Sequence, residues 1–348
     1  MSAITQKNMY SNKENVNILT ALMESLHVTH AVVCPGSRNA PIVHNLNESP
    51  SITCHPVTDE RSAGFFALGL ALAIEQPVAV CVTSGTALLN LAPAVAEAYY
   101  QRVPLVIISA DRPPQWIGQL DGQTLPQPGA LGPFVKKSVT LPEPHNDEER
   151  WYCKRLVQEA LVCTNGPVHV NVPISEPLFE FTEPELPHVQ PVFKLNFGNS
   201  PEMVDKYIFP AFFRARRPMV IFGHYNDTAP VIDSLSRHAV VLHEALYSGH
   251  KKPIRFEEVL DSVPDSTPYR PDCVIYAGGN IVSKKLRQFL RDSTDTTFIR
   301  VSFGEYEDTF MRLDYLVEAV PLDFMMRIEK ACRKGYYYDR EEDRDLRM

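Results

Sequence analysis

Four short segments within the first 132 residues pair small residues with polar or charged side chains beside apolar runs. In CPGSRNAP (34–41), Ser37 offers a hydroxyl and Arg38 a planar fork for a carboxylate or phosphate. In TDERSAGFFALGLALAI (58–74), a charged pair heads a long apolar stretch. Asp59 suits a helix cap, and Glu60 is a carboxylate that burial would equip to exchange a proton with a ligand nitrogen. In VTSGTALLN (82–90), Ser84 and Thr86 supply hydroxyls, and Gly85 permits close backbone approach. In ADRPPQWIGQLDGQTLPQPGALG (110–132), Arg112 is an anion anchor and Gln123 an amide fork on a long Gly/Pro-rich loop. Each segment also has a plainer structural reading. The first is a strand-to-helix turn with a surface arginine, and the second sets an acidic first turn against a helix dipole. The third is close packing, and Trp116 reads as a packing residue.

Other chemistries find no support. No GxGxxG follows the first segment, and no GxxxxGK[ST], HExxH or CxxC pattern occurs. No zinc framework is expected. His224 and His243 read as structural or solvent-facing.

The elements needed to position these segments follow from periodicity. Helical spacing over 15–26 is followed by a strand at 30–34, and the helix headed by Asp59 runs to residue 74. That helix is apolar almost all round, which predicts burial on both sides. Continuous apolar strands at 77–85 and 104–110 flank a helix over 86–100, a βαβ unit that favours a parallel sheet. A long loop (111–147), a helix (148–163) and a strand (167–173) complete one α/β domain, assigned to 1–180. The proline-rich stretch 181–200 reads as a linker. A second, smaller α/β domain is expected over 201–335. It has helices at 201–214, 281–291 and 322–333 and strands at 218–223, 239–243, 273–277 and 298–302. Both domains are expected to be doubly wound parallel sheets. The densely charged 336–348 reads as a disordered tail.

Composition narrows the class further. The 348 residues are 44% hydrophobic and 22% charged, enough to bury two cores. The net charge is −8. Residues 1–180 carry 11 Lys and Arg against 16 Asp and Glu, and the remainder 23 against 26, so neither half favours nucleic acid. No apolar run reaches membrane-spanning length, and the polar N-terminus lacks a signal-peptide core. Seven scattered cysteines read as reduced, packed thiols of a cytoplasmic protein.

Together, CPGSRNAPI, TDERSAGFFALGLA, VTSGTALLNL and SADRPP…GQ…PG resemble one family closely, and the resemblance covers the whole chain. This is the thiamine-diphosphate-dependent 2-succinyl-5-enolpyruvyl-6-hydroxy-3-cyclohexene-1-carboxylate synthase family of menaquinone biosynthesis. The resemblance implies a pyrimidine-binding domain followed by a central domain. It also implies decarboxylation of 2-oxoglutarate and addition of the succinyl carbanion to isochorismate. Glu60 then matches the glutamate that hydrogen-bonds N1′ of the cofactor's aminopyrimidine, with Ser84, Gly85 and Thr86 at the cofactor. Ser37, Arg38, Arg112 and Gln123 match substrate-pocket positions, and Lys284 and Lys285 resemble a basic pair of the central domain. A homodimer or homotetramer, and Mg2+ or Mn2+ beside the diphosphate, are implied as well. Two departures stand out. Gly122-Gln123 replaces a frequent Asn-Gln, and the Gly-Asp-Gly…Asn signature of the diphosphate-binding domain is missing. The resemblance therefore implies an incomplete chain, inactive alone. A non-catalytic module of the same fold, or an acetolactate-synthase-like carboligase, are the alternatives.

Overall fold

The computed structural model describes residues 9–162, 165–223, 229–243, 256–303 and 305–334. These fall into two compact units that divide between Pro191 and Val192.

The first unit contains β1 (Tyr10–Ser11), α1 (Glu14–Ser25), β2 (His30–Val33), α2 (Ala40–Glu48) and β3 (Thr53–Pro56). It continues with α3 (Glu60–Ile74), β4 (Val78–Val82), α4 (Thr86–Asn90), α5 (Ala92–Gln101) and β5 (Leu105–Asp111). It closes with β6 (Lys137–Thr140), α6 (Asp147–Leu161), β7 (Val168–Pro173) and β8 (Phe181–Glu183). Six strands form one sheet in the order β3-β2-β4-β5-β7-β6, every pair parallel. Central β4 and β5 are buried along their whole length, as strands covered on both faces must be. Side chains of α1 and α6 pack on one face, with Ile18, Leu19, Leu22 and Val157 fully buried. Side chains of α3, α4 and α5 cover the other, around Ala63, Ala67, Leu88 and Val95. Each fully buried aliphatic side chain contributes about 1.5–3 kcal/mol.

The second unit contains β9 (Phe193–Asn196), α7 (Pro201–Arg214), β10 (Pro218–Phe222), α8 (Ala229–Leu235), β11 (Val240–His243) and α9 (Phe256–Ser262). It ends with β12 (Cys273–Ala277), α10 (Lys284–Arg291), β13 (Thr297–Ser302), β14 (Leu313–Glu318) and α11 (Pro321–Arg333). Its sheet, β11-β10-β12-β13-β14-β9, is also entirely parallel. Both units are therefore doubly wound α/β domains, as expected. Gly223, which follows β10, has no room for a side chain, because an added Cβ would come within 1.9 Å of the Gly279 carbonyl oxygen.

Several expectations need correction. The supposed linker 181–200 is partly sheet: β8 pairs antiparallel with β1, and β9 joins the edge of the second sheet beside β14. The continuous helix over 86–100 is two, because Pro93 restarts it at Ala92. The loop 111–147 contains β6 and two short 3₁₀ turns. Helix α3 buries only one face. Phe65, Phe66 and Leu72 are 46%, 48% and 49% exposed, because no described residue forms a second layer over them. Trp116 is half exposed rather than packed. His243 is buried at the end of β11, whereas His224 and the tail 336–348 lie outside the described residues.

Candidate functional site

Ligand crevices of open parallel sheets lie beyond the carboxyl ends of the strands. In the first unit that edge carries the four sequence segments: Ser37 and Arg38 follow β2, and Glu60 follows β3. Ser84 to Thr86 follow β4, and Arg112 and Gln123 sit on the loop after β5.

Asp59 caps α3, its carboxylate accepting from Ser62 N at 2.8 Å, which places Glu60 in the first turn. Glu60 is half-buried, so the described residues do not supply the full burial expected for it. Its Oε2 accepts from Asn90 Nδ2 at 3.4 Å, at the end of α4. Nearby Cys34 is pushed up to about 12, by burial first and then by the Glu60 and Asp59 carboxylates.

The arginines are held by carboxylates of their own chain. Arg38 is buried. Its Nη1 donates to Ile174 O at 3.0 Å, and its Nη2 to Glu176 Oε1 at 2.8 Å. Arg112 pairs with Asp121 at 2.9 Å and donates from Nε to Gly122 O at 3.2 Å, so it clasps its own loop. Gln123 lies over Gly85 and donates to Ser84 O at 3.1 Å. Ser84 is buried and Thr86 exposed, leaving Thr86 at the surface of the turn. Ser37 is exposed as well. Lys284 and Lys285 belong to the second unit, where they open α10. Both are exposed, and Lys285 Nζ bonds Asp261 at 2.6 and 2.7 Å.

A buried polar network was missed by the sequence reading. Gln127 Oε1 accepts from Gly85 N at 2.7 Å, and its Nε2 donates to Ala110 O (3.0 Å) and Asn171 Oδ1 (2.8 Å). Asn171 Nδ2 donates to Asp111 Oδ2 at 2.9 Å, while Ser109 Oγ joins Asn171 to His169, 2.8 Å to each. Burial pushes the Asp111 carboxyl up, against its bonds to Asn171 and Arg112 N and the nearby Arg38 charge. It pushes His169 down to about 4. The signal available was the alternation of His169 and Asn171 in PVHVNVP, polar residues on one face of a buried strand. Two further buried polar atoms, Asn39 Oδ1 and Thr83 Oγ1, have no hydrogen-bond partner and flank Gly36 at this edge.

Residues 14–129 match the family profile described as "Thiamine pyrophosphate enzyme, N-terminal TPP binding domain". Those residues of the first unit form a thiamine pyrophosphate enzyme N-terminal domain. The likeness extends further along the chain. The 2-succinyl-5-enolpyruvyl-6-hydroxy-3-cyclohexene-1-carboxylate synthase of Bacteroides thetaiotaomicron is 46% identical over 336 residues, 92% of this chain and 60% of that protein. The synthase of the same name from Bacteroides fragilis is 46% identical over 338 residues, with the same shares. That of Porphyromonas gingivalis is 37% identical over 295 residues, 81% of this chain and 51% of that protein. The resemblance carried by the four segments thus runs along nearly the whole chain, which spans about three fifths of the length of the first of these relatives.

The residues at this edge suit the aminopyrimidine half of thiamine diphosphate. The partly exposed Glu60 carboxylate, set beside the Ser84–Thr86 turn, is what a nitrogen of that ring can pair with. Among the described residues no three His, Cys, Asp or Glu side chains are grouped to hold a metal ion. No described helix is long and apolar enough to cross a membrane.

Proposed function

We propose that this chain is the pyrimidine-binding and central part of a thiamine-diphosphate-dependent synthase. That enzyme would join the succinyl unit of 2-oxoglutarate to isochorismate in menaquinone biosynthesis in the cytoplasm. The observation that carries the reading is Glu60, presented in the first turn of α3 at the carboxyl edge of the sheet. Thiamine diphosphate supplies, when bound, a carbon acid whose anion attacks the keto group of 2-oxoglutarate. Glu60 holds a proton at N1′ of the aminopyrimidine and exchanges it there. Ser84, Gly85 and Thr86 bring backbone and a hydroxyl to the same ring. Ser37, Arg38, Arg112 and Gln123 line the substrate end, where arginine forks match the carboxylates of both substrates. Lys284 and Lys285 of the second unit are proposed to bind substrate on the strength of the family resemblance alone. Mg2+ or Mn2+ and the diphosphate would be held by residues other than those described. The apolar face of α3, with Phe65, Phe66 and Leu72 uncovered, supports assembly as a homodimer or homotetramer.

Glu60→Gln in the complete enzyme tests the assignment. The amide keeps the shape of the helix start but exchanges no proton, so turnover and exchange of the cofactor C2 proton should fall about 100- to 10,000-fold. Binding of 2-oxoglutarate should change much less. Loss of folding with unchanged C2 exchange per folded molecule would make Glu60 a structural residue and end the assignment.

A further inference from the structure

We propose that Gln127 is a positioning residue for Glu60, acting through the Ser84–Thr86 turn and the short helix α4. The inference rests on the reading of Glu60 given above. The Gln127 side chain is fully buried, and three hydrogen bonds fix it. Two of them tie its Nε2 to the sheet, at Ala110 O of β5 and Asn171 Oδ1 of β7. Asn171 is itself anchored by Asp111 and Ser109 on β5. The third bond leaves the sheet, where Oε1 accepts from Gly85 N.

Gly85 is the residue at this edge that most needs holding. Its φ of +87° and ψ of −144° suit glycine alone, and it precedes α4 without a side-chain cap. Helix α4 has five residues, too few to be stable without anchors. It starts from the Gly85 turn and ends at Asn90, whose Nδ2 meets the Glu60 carboxylate. A line of direct contacts therefore leads from the rigid interior of the sheet through Gln127, Gly85, α4 and Asn90 to Glu60. Gln123 presses on Gly85 from outside, its Cγ 3.0 Å from where a Cβ would stand, so the turn is clamped from two sides.

Two variants and two readouts decide the matter. Gln127→Met preserves volume and removes all three bonds, and Asn90→Ala removes only the exposed last link. In the 348-residue chain carrying Gln127→Met, amide hydrogen exchange over residues 85–91 should rise at least about tenfold while β4 and β5 stay protected. In the complete enzyme both variants should lower kcat and cofactor C2 proton exchange about tenfold or more, with KM for 2-oxoglutarate within about twofold. The double variant should be little worse than either single one, as members of one line of contacts are non-additive. Unchanged exchange over 85–91, exchange raised equally across the unit, an effect on KM alone, or a fully active Asn90→Ala enzyme would each overturn the proposal. If the complete wild-type enzyme shows no C2 exchange, the reading of Glu60 fails. The amide-exchange arm, which needs no activity, then decides alone whether Gln127 holds the turn.

Discussion

Replacing His169 with glutamine should flatten the acid side of the first unit's stability curve. His169 is completely buried on β7. Ser109 Oγ donates to Asn171, so it accepts from His169 Nε2, and that nitrogen carries the ring proton. Nδ1 then accepts from Ser138 Oγ at 3.2 Å. Burial holds the ring at a pKa of about 4 against 6.5 for the free side chain. Between those values the unfolded chain binds a proton that the folded chain refuses. Stability from this group is therefore complete above pH 6.5 and is lost as the pH falls toward 4. Linkage over those two values gives a loss of about 2 kcal/mol between pH 7.5 and pH 5. The glutamine variant does not titrate. Its altered hydrogen bonds cost about 1 kcal/mol, the same at every pH. Burial pushes the Asp111 carboxyl up, which gives the opposite slope, but that group is present in both proteins and cancels in their difference. Both tryptophans, Trp116 and Trp151, belong to the first unit, so urea unfolding followed by their fluorescence at fixed protein concentration reports on that unit alone. The stability advantage of wild type over His169→Gln should shrink by about 2 kcal/mol from pH 7.5 to 5. Curves that stay parallel within about 0.5 kcal/mol would refute the buried neutral ring.

Gly36→Ala should destabilise the first unit by about 1–3 kcal/mol by the same urea assay, because the new Cβ would lie 2.4 Å from Thr83 Cβ and 2.6 Å from Asn39 Oδ1. No measurable change would mean the turn has room to move. Gly223→Ala should be worse, since the obstacle is the Gly279 carbonyl rather than a side chain. Loss of a cooperative thermal transition in the second unit is the expected result. Phe65→Glu combined with Leu72→Glu should convert an assembled protein to monomer in light scattering, with helix content by circular dichroism unchanged. A wild-type chain that is monomeric at micromolar concentration would count against the α3 interface.

Strands buried on both faces were legible because continuous apolar runs leave little choice. VAVCV, LVIISA, PMVIF and CVIYA all form central strands. Edge strands were legible only where apolar, as in VVLH of β11. TCHP of β3 and KSVT of β6 bury one face at most, so their sequences resemble loops. Helix α2 escaped notice because Pro41 reads as a turn, although proline fits a first helical turn well. The four site segments were legible because each joins small and polar residues to the end of an apolar strand or the start of an apolar helix. Gln127 was not, since a glutamine in a Gly/Pro-rich loop carries no mark of being fully buried against a sheet. The apolar circumference of α3 predicts cover on both sides, but only one face is buried among the described residues. Periodicity cannot tell whether that cover comes from the same chain.

On the proposed reading, the same edge would keep a dicarboxylate site ordered without its ligand. An unpaired buried guanidinium is costly. Arg38 avoids that state by leaning on Glu176, whose side chain is 64% exposed while that of Arg38 is 7% exposed. The pair is asymmetric: the cation is fixed by Ile174 O, and the anion is free to return to water. On the proposed reading, an incoming carboxylate would take the place of Glu176 at an arginine that need not move. Exchanging one carboxylate for another leaves the charge at Arg38 balanced throughout. Arg112 and Asp121 are more evenly matched, at 27% and 31% exposed, and both ride on the same loop. Displacing Asp121 would release the Arg112 side of that loop, while Gln123 still anchors it at Ser84. On that reading Arg38 would be a preorganised anchor for a carboxylate, and Arg112 one that must adapt.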